Sequence, residues 1–98
     1  MSQLRFEWDP AKAVENKRKH GVLFEEAQTI FLDEFAVLID DPDHSGEEER
    51  FLLLGLSVSL RTLVVSHCYR KADDVIRLIS ARKATRRERE IYNRRWCK

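Results

Sequence analysis

His67, in the run Val64-Val65-Ser66-His67-Cys68-Tyr69, carries a side chain that can take or give a proton near neutral pH. Arg70, Arg77 and Arg82 follow it at short intervals, each with a planar fork of donors that matches phosphate oxygens. Lys19 and His20 form a second basic pair, and Lys83, Arg86, Arg87, Arg89, Arg94 and Arg95 make a basic C-terminal stretch suited to tracking a phosphate backbone. Acid–base catalysis by His or Lys, with arginines stabilising a phosphorane-like charge, is what RNA strand cleavage through its own 2′-hydroxyl requires. Each group also has a plainer explanation. A strand histidine is more often a satisfied structural one. Arg77 sits among Val75, Ile76, Leu78 and Ile79, where an unpaired guanidinium costs several kcal/mol, so it must either pair with an acid or face a cleft. Lys19 and His20 complement a helix dipole, and a basic helix can be simply a solvated face.

What the sequence lacks narrows the chemistry further. It has no Walker loop, nucleophile elbow, Cys/His cluster at zinc spacing or Gly-rich dinucleotide turn, and contains three glycines. No metal and no cofactor is implied. The formal net charge of +1 conceals a division: residues 1–49 carry 5 Lys/Arg against 13 Asp/Glu, a net of −8, and residues 50–98 carry 13 against 4, a net of +9. That asymmetry suggests an anionic partner for the second half, or two halves that neutralise each other on folding. Cys68 and Cys97 resemble neither a metal site nor a redox pair, so both are expected as thiols in a reducing cytosol. The longest apolar run, Phe51–Leu56, is far short of the ~20 residues of a membrane span, and no export signal is visible.

The elements that must hold these residues follow from the patterning. At 98 residues the chain is expected to be one domain, residues 1–98. Leu4, Phe6 and Trp8 alternate with Arg5 and Glu7 as in a strand with one buried face. Asp9-Pro10 predicts a helix start and Gly21 its end, with Lys17, Arg18, Lys19 and His20 in the last turn. A second short helix over Phe24–Phe31 follows, poorly capped because Leu23 occupies the cap position. Strands are predicted over Phe35–Ile39, Glu49–Ser57, Thr62–Tyr69 and Val75–Arg82, with a loop over Asp40–Gly46. Thr85 and Glu88 form a capping box that opens a final helix, on which Glu88, Tyr92 and Arg95 share a face. The result is an α+β fold: a mainly antiparallel four- to five-stranded sheet, two N-terminal helices and a C-terminal helix, with the helices expected on one face of the sheet.

Dispersed motifs cover almost the whole chain: Phe6-Glu7-Trp8-Asp9 with Lys12 and Asn16; Lys19-His20-Gly21-Val22 before Phe24-Glu25-Glu26-Ala27; Gly46-Glu47 with Arg50; and Gly55. His67 and Arg70, then Ile76-Arg77-Leu78-Ile79-Ser80-Ala81-Arg82-Lys83-Ala84 with Glu88, Arg89 and Tyr92, complete the set. In order and spacing the chain resembles the BrnT toxins of bacterial type II toxin-antitoxin systems, RelE-like ribonucleases. The resemblance implies a cytoplasmic, metal-independent endoribonuclease that slows translation. Its antitoxin would be a ribbon-helix-helix protein of the BrnA type, and operator DNA would be bound only through that antitoxin. Carried over by position, His67 is the candidate general acid/base, Arg70, Arg77 and Arg82 the phosphate and transition-state ligands, and Lys19 an auxiliary cation. Candidate RNA-binding residues are His20, Lys83, Arg86, Arg87 and Tyr92. The competing reading is a catalytically weak module that binds its antitoxin and tunes the operon.

Overall fold

Two nine-residue strands rich in β-branched and aliphatic residues, β4 (Thr62–Arg70) and β5 (Val75–Lys83), form an antiparallel pair at the centre of the computed structural model, which describes residues 4–39, 50–70 and 74–96. On the far side of β4 lies β3 (Phe51–Leu56), and beyond it β2 (Val37–Ile39), both antiparallel to their neighbours. The short β1 (Arg5–Glu7) closes the other edge by running parallel to β5, Glu7 opposite Arg77. The order is therefore β1-β5-β4-β3-β2, a mixed sheet with one parallel pair. Alternating sequence could reveal β1 but not its direction. No hairpin ties it to a partner, so its pairing is fixed only by distant packing.

The first helix, α1 (Pro10–His20), begins and ends where its punctuation requires. The Asp9 carboxylate accepts from the Ala11 amide, and Gly21 adopts the left-handed conformation (φ 71°), donating its N–H to the Lys17 carbonyl. After it, α2 (Phe24–Ala27) has no side-chain cap at Leu23 and passes into a 3₁₀ turn over Gln28–Leu32. These segments cover one face of the sheet. Val22, Phe24, Ala27 and Ile30 bury against Leu63, Val65, Ile76, Leu78 and Ala81, with Phe6, Trp8 and Phe31 at the margin. Full burial of such a side chain contributes about 1.5–3 kcal/mol, which is what holds a helix of only one turn in place.

The last helix, α3 (Arg86–Trp96), does not join the others. Tyr92 and Ala84 pack on Leu54 and Val64, which alternate with the residues of the first core, so α3 lies on the opposite face. The expectation of helices on one face is corrected by this: a helix with one buried aromatic needs only a small apolar patch, and the second face offers one. The capping box forms as predicted, Thr85 N–H donating to Glu88 Oε1 (2.8 Å) and Glu88 N–H to Thr85 Oγ1 (3.1 Å). The predicted loop over Asp40–Gly46, and Cys97, lie outside the described residues.

One irregularity decides which side chains meet. Ser66 pairs with Ser80 but His67 with Leu78, so Ile79 is an extra residue in β5, a β-bulge. Arg77 and Arg82 are five apart, an odd interval that would put them on opposite faces of a regular strand. The bulge returns both to the face of α3.

Candidate active site

Arg70 and Arg77 reach the same anion. Arg77 Nη1 donates to Glu7 Oε2 at 3.0 Å, and Arg70 Nε lies 3.5 Å from the same oxygen. Register explains the meeting: Glu7 stands opposite Arg77 across the parallel pair, and Arg70 opposite Val75 at the end of β4. All three side chains stay partly open to solvent, 40% for Glu7, 31% for Arg77 and 50% for Arg70, so the cluster is reachable. Arg77 thus does both things its apolar neighbours allowed, pairing with an acid and facing solvent. Arg50, leading into β3, is half-buried, and its Nε has no hydrogen-bond partner among the described residues.

Arg82 is on that face too, committed to a carboxylate. Its two terminal nitrogens donate to the two Glu88 oxygens at 2.8 and 3.0 Å. That fork, helped by Thr85 and opposed by burial, holds the Glu88 carboxyl down to about 2. The arrangement staples α3 to β5. Beyond it Lys83, Arg86 and Arg87 are exposed at the strand end and in the first turn of the helix.

His67 is elsewhere. Its ring is fully buried on the α1–α2 face, with ring centroids 4.9 Å from Phe31, 5.4 Å from Tyr69 and 6.0 Å from Phe51. Nδ1 lies 3.2 Å from the Val65 carbonyl; a carbonyl only accepts, so Nδ1 carries the proton and Nε2 the lone pair. That Nε2 is buried without a partner among the described residues. Burial lowers the imidazole pKa below its ordinary value, opposed by the Val65 carbonyl. The sheet therefore separates the histidine from the three arginines. Tyr92 is likewise a core residue, 2% exposed, its hydroxyl donating to Asp33 Oδ2 at 2.6 Å. It offers no surface to a substrate. Burial opposes ionisation of Asp33, but that hydroxyl and the Leu56 and Phe35 amides outweigh it and lower its pKa.

Lys19 and His20 are exposed at the end of α1, where they line a groove of about 150 Å³ with Lys12, Glu15, Asn16, Ile79 and Ser80. Asn16 is the buried member of this lining. Buried at 5% exposure, it donates to the Val22 and Ala81 carbonyls (both 2.9 Å) and accepts from the Ala81 N–H (3.0 Å). It pairs with β5 as a neighbouring strand would, at the level where β1 no longer runs alongside. Among the described residues no three His, Cys, Asp or Glu side chains converge to hold a metal ion.

The model of the ribonuclease toxin family BrnT, of type II toxin-antitoxin systems, matches residues 8–88. The chain belongs to the BrnT family. Among solved structures, the 1.1 Å crystal structure of the Brucella abortus ribonuclease toxin BrnT has the same fold, with a TM-score of 0.62 and 19% sequence identity. The match covers 88% of this chain and 100% of that one. No curated protein matches. No helix among the described residues is long and apolar enough to cross a membrane. The motifs that carry the BrnT resemblance fall into two groups. Asn16, Tyr92 and His67 build the interior, while Arg70 and Arg77 stand at the surface. Glu7 lies within the first of those motifs, but nothing in its residue type marked it for chemistry. Its signal was the alternation of β1, which turns Glu7 away from Phe6 and Trp8 and toward the face of the even-numbered β4 residues.

Proposed function

We propose that this BrnT-family chain is a metal-independent endoribonuclease that slows translation, cleaving RNA laid across the sheet face of Arg70 and Arg77. The observation that carries this reading is the convergence of two guanidiniums on one carboxylate, with all three groups open to solvent. Two forks on a shared anion are suited to a bridging phosphate, whose oxygens accept charge-assisted hydrogen bonds in the same way. Lys83, Arg86 and Arg87 continue the cationic surface on one side, and Lys19 and His20 flank β5 on the other, so several phosphates of one strand could be neutralised together. Arg82 acts chiefly by fixing α3, and His67 and Tyr92 by filling the two cores. Family membership supports an antitoxin of the BrnA ribbon-helix-helix type, contact with operator DNA only through it, and a cytoplasmic site of action.

The test is incubation of end-labelled RNA with purified protein in EDTA, beside Arg70→Ala and Arg77→Ala. Cleavage to 2′,3′-cyclic phosphate ends, weakened in both variants with folding intact, is the expected result. Intact RNA with folded protein would instead favour the antitoxin-binding module, and cleavage only on adding a divalent ion would overturn the metal-independent mechanism.

A further inference from the structure

We propose that Glu7 is the proton acceptor in RNA cleavage, an inference that rests on the ribonuclease reading above. Attack by a 2′-hydroxyl needs a group that removes its proton beside the groups that hold the phosphate. Five other acid–base groups of the described chain are committed elsewhere. His67 is enclosed on the far side of the sheet. Glu88 is gripped by Arg82 and Thr85, and Asp33 by Tyr92 and two backbone amides. Asp74 pairs with Arg5, two residues from Glu7 on β1, and Glu90 with Arg86 on α3; neither carboxylate contacts Arg70 or Arg77. Glu7 alone among these carboxylates touches Arg70 and Arg77, and it does so through one oxygen: both contacts go to Oε2. Its other oxygen, Oε1, has no hydrogen-bond partner among the described residues. The side chain is thus tethered at one end and open at the other, the geometry of a positioned base.

In the step, Glu7 Oε1 takes the 2′-hydroxyl proton and the 2′-oxygen's electron pair forms a bond to phosphorus. The bond from phosphorus to the 5′-oxygen breaks, and that oxygen leaves with the electron pair and takes a proton from solvent. Arg70 and Arg77 neutralise the charge that builds on the non-bridging oxygens, and Glu7 returns its proton to water.

Glu7→Gln keeps the shape and an acceptor for the arginines while removing the basic oxygen. Saturating single-turnover cleavage in EDTA should fall by on the order of 100-fold or more. Binding of a 2′-deoxy-substituted, uncleavable strand should stay equal or become tighter, and the melting temperature should hold. Glu7→Asp, which keeps a carboxylate on a shorter stem, should retain part of the rate. A Glu7→Gln protein with the wild-type saturating rate overturns the proposal alone, as does a rate that falls only in step with the folded fraction. A wild-type protein that leaves RNA intact overturns the ribonuclease reading, and the assignment of Glu7 falls with it.

Discussion

His67→Leu tests whether the histidine acts by chemistry or by packing. The ring is fully enclosed by Phe31, Phe51 and Tyr69, so truncation to alanine forfeits its contacts and leaves a cavity. Large-to-small changes of this kind cost about 2–5 kcal/mol, and removal of the unpartnered Nε2 gives back about 1–3 kcal/mol. The net loss for His67→Ala is therefore about 1–2 kcal/mol, a fall on the order of 10 °C in melting temperature for a chain of this size. Leucine fills most of the volume and has no polar atom, so its cost should stay within about 1.5 kcal/mol. The two variants also differ from wild type in acid. The folded imidazole has a pKa below the ordinary 6.5, so between the two values the unfolded chain binds more protons than the folded one. The stability contributed by neutral His67 is complete above about pH 6.5 and is lost as pH falls through that window. Urea titrations from pH 7.5 to 5, followed by tryptophan fluorescence, should show this slope in wild type and a flatter one in His67→Leu. RNA cleavage by His67→Leu should survive. A folded, equally stable His67→Leu protein without cleavage activity would refute the packing argument and return the histidine to the reaction.

Three further outcomes follow from local geometry. Asn16→Leu strands the Ala81 N–H and the Val22 and Ala81 carbonyls at the open stretch of β5, and should cost about 2–4 kcal/mol in urea titrations at unchanged m-value. Arg82→Ala removes the main cause of the low Glu88 pKa; carboxyl titration by NMR should find Glu88 moved from about 2 toward the ordinary 4.5, with increased amide exchange in the first turn of α3. Leu60 holds a positive φ of 64° in the exposed β3–β4 turn, so Leu60→Gly should raise stability by about 1 kcal/mol, read as a higher melting temperature.

Local punctuation made the elements legible. Asp9-Pro10, Gly21 and the Thr85–Glu88 box each specify a helix end through a few neighbouring atoms, and each is found as expected. Faces were legible only in part. His67 and Arg70 are three residues apart, and the two-residue period of a strand places them on opposite faces of the sheet. Arg77 and Arg82 share a face only because Ile79 bulges, and a bulge is a feature of the register between β4 and β5 that the residues from Arg77 to Arg82 do not announce by themselves. The same limit applies to Tyr92. Its helix reads as charged nearly all round, and only the apolar patch of Leu54 and Val64 makes one face of it interior.

The parallel pairing of β1 with β5 joins residues about 70 positions apart, and Glu7 meets Arg77 nowhere else. During synthesis β1 emerges about 70 residues before its partner, so Glu7 and the two guanidiniums come together only after β5 has been made. An incomplete product ending before β5 has neither the second guanidinium nor the edge on which β1 docks. The most non-local contact in the fold thereby sets the moment at which a ribosome can begin to release a working toxin.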